Sequence, residues 1–241
     1  MKSSLISKDL KTILANFGIL TIISEDMDYL DAKDESTITY MPIDKVSRSL
    51  ESGKDPWTAT SRVAMKVGRF FNKILFIEDS KIENLANRFK TFYKISKGDF
   101  SEIFTIVHGE DIRFWYNVAN YVPGGGSLNS SCMRGATTQL DLYVENPDVV
   151  KLLIMTENNK LSGRALMWTT DRGVYIDRPY CRYDTDQHMY KKYAEHFKYH
   201  SFYTRTGAIQ ARARLRKTYD SAHKPYLDSM QLNGRDITVF L

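Results

Sequence analysis

Val149-Val150-Lys151-Leu152-Leu153-Ile154-Met155-Thr156, then Asn158-Asn159, then Ser162-Gly163-Arg164-Ala165-Leu166-Met167-Trp168, is the stretch on which the fold turns. Val149 to Met155 is nearly continuous apolar sequence, the pattern of a strand buried on both faces. Asn158-Asn159 has the chemistry of a two-residue hairpin turn, because asparagine tolerates positive φ. After Asp171-Arg172-Gly173, the segment Gly173–Tyr180 reads as a third strand. Three strands with short turns predict an antiparallel meander over about 149–180.

Outward from that sheet, the flanks read as helical. Asp184–Tyr203 is expected to be a helix, with Asp184 and Asp186 near its positive N-terminal end. Gly207 separates it from a second expected helix, Ala208–Tyr219. On the other side, Pro123-Gly124-Gly125-Gly126 is the strongest chain breaker in the sequence.

The first half reads as mainly helical. Residues 3–18 form an amphipathic pattern with Ser3 or Ser4 as cap and Gly18 as stop. The β-branched run Ile19 to Ile23 predicts a strand or buried turn. Trp57, Val63, Val67, Phe70, Phe71 and Ile74 recur at three- and four-residue steps, predicting a helix over 57–77. Asp79-Ser80 caps a second, Lys81–Ile95. Phe100–His108 is short and ambiguous between strand and helix, and Asp111–Tyr121 is helical. Residues 24–59 are acidic, polar and without period, and read as a loop-rich connector with a brief extended piece at Thr37–Met41 before Pro42.

The fold class is therefore α+β: a mainly helical half, 1–122, and a half, 123–241, in which a short antiparallel sheet is backed by basic helices. The two are compatible with one compact domain.

The chain has 241 residues, 42% hydrophobic and 26% charged. That is ordinary globular composition and excludes a wholly disordered chain, a collagen and a disulfide scaffold. No apolar run reaches the roughly 18–20 residues of a membrane span, so no membrane partner is expected. Net charge is +5, distributed unevenly. Residues 1–60 hold seven Lys/Arg against ten Asp/Glu, whereas residues 178–224 hold eleven against four. A basic segment set against an acidic one points to an anionic partner, most often nucleic acid.

Lys191, Lys192, Lys198, Arg205, Arg212, Arg214, Arg216 and Lys217 are the candidate phosphate contacts. Tyr190, Tyr193, Phe197, Tyr199 and Phe202 are interleaved among them, and aromatic rings can stack on unpaired bases. The loop from Gly125 and Gly126 into Ser131-Cys132-Met133-Arg134 is the second candidate. Backbone N–H groups there, with Arg134 and Arg178, would hold an anion. Cys132 would be a thiol nucleophile, with Arg164 and Asp177 from neighbouring strands completing a catalytic group. That reading requires Cys132, Arg164, Asp177 and Arg178 to converge on one pocket. Arg164 and Asp177 are also expected to meet as an ion pair across adjacent strands. The two cysteines and five histidines have no metal-ligand spacing, so neither metal nor cofactor is expected. Free thiols and the absence of a secretory signal favour a reducing cytosol.

Lys66-Val67-Gly68-Arg69-Phe70, Gly109-Glu110-Asp111-Ile112-Arg113 with Trp115-Tyr116, Ser131-Cys132-Met133-Arg134, Asn146-Pro147, Gly163-Arg164-Ala165-Leu166, Trp168 and Asp177-Arg178 with Tyr180 carry a resemblance. Together they resemble a family of tailed-bacteriophage proteins to which no activity is attached. The resemblance spans about residues 57–195 and implies a phage origin and a bacterial host cytoplasm. Locally, the glycine loop before Cys132 resembles the nucleophile position of papain-like and transglutaminase-like enzymes, but the following strands offer no histidine. The hairpin 149–168 is similar to the central hairpin of Gcn5-related acetyltransferases, but the pyrophosphate-binding turn of that family is missing.

Three functions follow as expectations. The leading one is a phage accessory protein acting on nucleic acid or a host nucleic-acid machine. The second is a small transferase or hydrolase, thiol-dependent or acetyltransferase-like, centred on Gly124–Arg134. The third is an inhibitor that binds a host protein through the acidic residues 24–55.

Overall fold

A computed structural model describes residues 5–19, 25–75, 77–220, 223–227 and 229–241. Ser3, Ser4 and residues 20–23, to which the sequence assigns a cap and a β-branched strand, lie outside the described residues. The chain divides into two compact units, Met1–Asp99 and Phe100–Leu241.

The first unit mixes helices with a sheet and is less helical than the sequence suggests. Helix α1, Lys8–Ala15, is capped by Ser7, whose Oγ accepts from Leu10 N at 3.3 Å. The acidic segment is more structured than a loop, and the extended piece expected at Thr37–Met41 lies on one of its strands. It forms strands β1, Met27–Asp34, and β2, Thr37–Pro42, followed by helix α2, Ile43–Glu51. The acidic side chains obscure a buried set, Met27, Leu30, Ile38 and Met41, that pins the hairpin to its core. Asp34 Oδ1 accepts from Ser36 N at 2.8 Å and shapes the turn.

The expected helix 57–77 begins as strand β3, Val63–Lys66, which pairs with β2. It becomes helix α3 only at Val67–Leu75, where Val67, Phe70 and Phe71 turn inward. Helix α4, Asp79–Ser96, lies where the spacing predicts it and buries Phe89 and Phe92. Phe17 packs edge-on against both Phe71 and Phe92, at 5.7 and 5.3 Å between centroids.

In the second unit the predicted meander is the centre of a sheet. Strand β4 is Thr105–Val107, β5 Val150–Glu157, β6 Lys160–Thr170, β7 Gly173–Ile176, β8 Tyr180–Cys181 and β9 His200–Ser201. The order is β4-β5-β6-β7-β9, with β8 also on β6 and only β7–β9 parallel. Asn158 and Asn159 both take positive φ, 51° and 59°, as the tight hairpin requires. Residues 161–168 of β6 are buried on both faces. Arg164 therefore sits in the middle of the most enclosed strand.

Short helices α5, Glu110–Tyr116, α6, Ser127–Ser130, and α7, Asp141–Val144, belong to the same unit, as does α8, Gln187–Phe197. Lys198 ends α8 in the left-handed conformation, so the helix is shorter than Asp184–Tyr203.

The expected helix Ala208–Tyr219 does not form. Its place is taken by β10, Gln210–Arg214, in a second sheet of order β10-β12-β11 with β11, Met230–Asn233, and β12, Asp236–Phe240. Ala211, Ala213 and Leu215 are buried while Arg212, Arg214 and Arg216 are exposed, a period of two. Alanine and arginine are good helix formers, but the partner strand β12 pairs with every residue from Gln210 to Arg214.

Candidate functional site

Arg164 is 1% exposed. It projects from β6 on the face shared with Leu166 and Trp168. Its Nη1 donates to the Tyr121 hydroxyl and its Nη2 to Ser131 Oγ at 3.1 Å. The guanidinium lies over the Tyr116 ring, 3.9 Å from its centroid. Its Nε has no hydrogen-bond partner, and it makes no ion pair, among the described residues. Burying a charge costs several kcal/mol unless a counter-charge or hydrogen bonds compensate. Here the compensation comes from two neutral hydroxyls and the rings of Tyr116, Tyr121 and Tyr180, all with centroids within about 6 Å of the guanidinium.

The guanidinium forms part of the wall of a partly enclosed cavity of about 30 Å³. That is room for about two waters, or for the head group of one small oxyanion. Cys132, Asp177, Arg178, Ser131, Tyr116 and Tyr180 line the same cavity. The four residues that the thiol reading requires to converge do so. The cavity also collects several phrases of the phage resemblance, from Tyr116, Ser131-Cys132-Met133, Arg164-Ala165-Leu166 and Asp177-Arg178 to Tyr180.

Each wall has a local cause. Ser131 opens a turn closed by Arg134 N donating to Ser131 O at 2.9 Å, and Ser131 Oγ also accepts from Met133 N at 3.3 Å. Cys132 is exposed at the corner of that turn. Asp177 follows β7, and its N–H donates to Leu166 O at 2.8 Å. Its Oδ1 accepts from Ser229 Oγ at 3.0 Å and Arg178 N at 2.8 Å. The predicted Arg164–Asp177 ion pair does not form. Asp177 faces Leu166 across the strands, and Arg164 is opposite Tyr180. The strand-to-strand offset thus places the carboxylate against Ser229 and leaves the guanidinium to Tyr121 and Ser131.

Burial pushes the Tyr116 phenol up to about 12, against the opposing pull of the Arg164 charge. Burial raises Tyr121 as well, and Arg164 again opposes it. Both phenols stay neutral at physiological pH, so neither balances the arginine. The second cysteine, Cys181, is fully buried, and burial pushes its thiol well above the usual range.

The glycine loop has another use than anion binding. Gly126 adopts φ +77°, and a Cβ there would overlap the carbonyl oxygens of Cys181 and Arg182. Glycine is needed for backbone to lie on backbone. The Ser127 N–H that opens α6 is taken by Asp184 Oδ1 at 3.3 Å. Gly125 is exposed, and neither glycine lines the Arg164 cavity. Arg134 is exposed on the turn beside Cys132.

The basic residues of the late segment do not share one surface element. Lys191 and Lys192 lie half-buried on α8, with Lys192 paired to Glu195 at 2.8 Å. Lys198 caps that helix. Arg205 stacks on Phe202 at 4.3 Å and donates to Ser229 Oγ at 2.9 Å. Arg216 pairs with Asp148, and Lys217 with Glu145 at 2.8 Å. Arg212 and Arg214 share the exposed face of β10 and form no ion pair among the described residues. Tyr190 and Tyr193 are core residues, packed with Phe104 at 4.9 Å, and offer no stacking platform.

Sequence reasoning overlooked the tyrosines and Ser131 as site residues. The signal available was Ser131 directly preceding Cys132, and Trp115-Tyr116 and Tyr180 within the quoted phrases. Among the described residues no cluster of His, Cys, Asp and Glu fits a metal, and no helix is long and apolar enough to cross a membrane. No protein family, no curated protein and no solved structure matches the chain.

Proposed function

We propose that the second unit binds a small anionic ligand, presenting a phosphate or carboxylate group, in the Arg164 cavity. The observation that carries this is the buried Arg164 guanidinium, which borders the cavity and forms no ion pair among the described residues. An oxyanion would supply the missing counter-charge, and Arg178 at the same cavity adds a second cation. The small volume suits the head group alone, with the rest of the ligand outside.

The test is a thermal melt with inorganic phosphate, sulfate or acetate against a chloride control of equal ionic strength. A ligand at 100 times its Kd stabilises by about 2.7 kcal/mol, roughly 5–11 °C for a protein of this size. Phosphate and sulfate shifting the melt but not acetate marks a phosphate-type site, and the reverse a carboxylate site. No shift with any of them, or an equal shift in Arg164→Met, refutes the reading.

A second reading is nucleic-acid contact, as suits the phage accessory role implied by the sequence resemblance. Arg212 and Arg214 on the open face of β10 favour it. Replacing both with Ala should weaken retention in a gel shift and flatten its salt dependence. Wild-type protein that retains neither duplex nor single strand at low salt removes this reading.

A further inference from the structure

We infer that Cys132 is the reactive group of the cavity, a thiol that forms a covalent bond with small carbon electrophiles carrying a carboxylate or phosphate. The inference rests on the anion-binding reading above and adds chemistry to it.

Cys132 lines the cavity that Arg164, Arg178 and Ser131 also line, and it is exposed there. Its placement is tied to the guanidinium through one hydroxyl. Ser131 Oγ receives both Arg164 Nη2 and the Met133 N–H, and the turn Ser131–Arg134 closes around Cys132. An anionic group seated on Arg164 would therefore lie in the same small space as the sulfur. The independent pointer to a ligand is the lining of the cavity, which sets two arginines, Arg164 and Arg178, around the space that Cys132 also borders, with Arg164 buried and in no ion pair among the described residues. Held reactants gain rate from proximity alone.

Cys181 is an internal control. It is fully buried, its thiol is pushed up by burial, and it packs against Gly163, where a Cβ would come within 3.2 Å of Sγ. Electrophiles in solvent reach Cys132 only. The chemistry balances without a cofactor. Sγ attacks the electrophilic carbon, and a sulfur–carbon bond forms. The carbon–leaving-group bond breaks, the leaving group takes the bonding pair, and the thiol proton goes to solvent. With iodoacetate the leaving group is iodide. With an acyl phosphate it is inorganic phosphate, and the product is a thioester.

The experiment compares alkylation of Cys132 by iodoacetate, which is anionic, and by iodoacetamide, which is neutral. Rates at pH 7 are read by mass spectrometry, with glutathione as the free-thiol reference. The iodoacetate-to-iodoacetamide rate ratio at Cys132 should exceed that of glutathione at least tenfold. Inorganic phosphate should protect Cys132 from iodoacetate. Arg164→Met should bring the ratio down to that of glutathione, and Arg178→Gln serves the same purpose if Arg164→Met fails to fold. A glutathione-like ratio without protection, in a protein whose melting point still rises with phosphate, overturns this inference and leaves the binding reading standing. A glutathione-like ratio with no melting response defeats both.

Discussion

Two cationic regions of the second unit treat their charge in opposite ways. Arg164, inside the sheet, has hydroxyls and tyrosine rings but no ion pair among the described residues, because the Asp177 carboxylate on the same cavity is bound to Ser229 and the Arg178 N–H instead. Arg216 and Lys217, with side chains 59% exposed, sit against Asp148 and Glu145. Direct ion pairs form where water would have sufficed and not where it is excluded. Surface pairs contribute about 0–1 kcal/mol, whereas a buried charge without a partner is a cost of several kcal/mol.

The sharpest way to break this contrast is at Arg164. Arg164→Ala opens a cavity and strands two hydroxyls, and should cost about 2–4 kcal/mol. Arg164→Met strands the same hydroxyls but keeps most of the volume and removes the buried charge, and should cost about 1–2 kcal/mol less than Ala. Urea melts of both variants without ligand check this. If Met is as damaging as Ala, the guanidinium stabilises the fold and the contrast with the surface pairs collapses.

A smaller effect comes from the tyrosine under the guanidinium. Tyr116 titrates at about 12 in the fold against its ordinary 10.0. A raised folded value means that the stabilisation is complete below pH 10 and is lost as pH rises from about 10 through about 12. The loss is about 2–3 kcal/mol for this residue. Arg164 pulls the Tyr116 value down, so the phenolate absorbance step in Arg164→Met should move to still higher pH. An unchanged step would mean that the charge and the ring do not interact.

The smallest effects belong to the surface. Arg216→Ala and Lys217→Ala should each change stability by about 0–1 kcal/mol, and 1 M salt should erase what difference there is. Thermal melts at two salt concentrations check this. A loss above about 2 kcal/mol would put these pairs in the same class as the buried site.

The meander was legible because its information is local. An apolar run, two asparagines able to take positive φ and a returning strand lie within about thirty residues. Helix α4 was legible for the same reason, its apolar positions recurring at helical spacing. Ala208–Tyr219 was misread because Ala-Arg-Ala-Arg-Leu-Arg fits both periods and its propensity favours a helix. Strand β12, some twenty-five residues later, decides the matter by offering a ladder. In the acidic segment only the extended piece Thr37–Met41 was legible, and the strand before it was not, because Asp and Glu outside obscured the buried Met27 and Leu30.

The site divides along the same line. By itself, the sequence determined that Cys132, Arg164, Asp177 and Arg178 are chemically capable groups and that three of them lie on or beside consecutive strands. Tertiary structure alone decided that they share one cavity, and that Arg164 meets Tyr121 and Ser131 instead of Asp177. The physical reason is register. A shift of a few residues between strands changes which side chain faces which, and that offset is set by packing of the whole sheet.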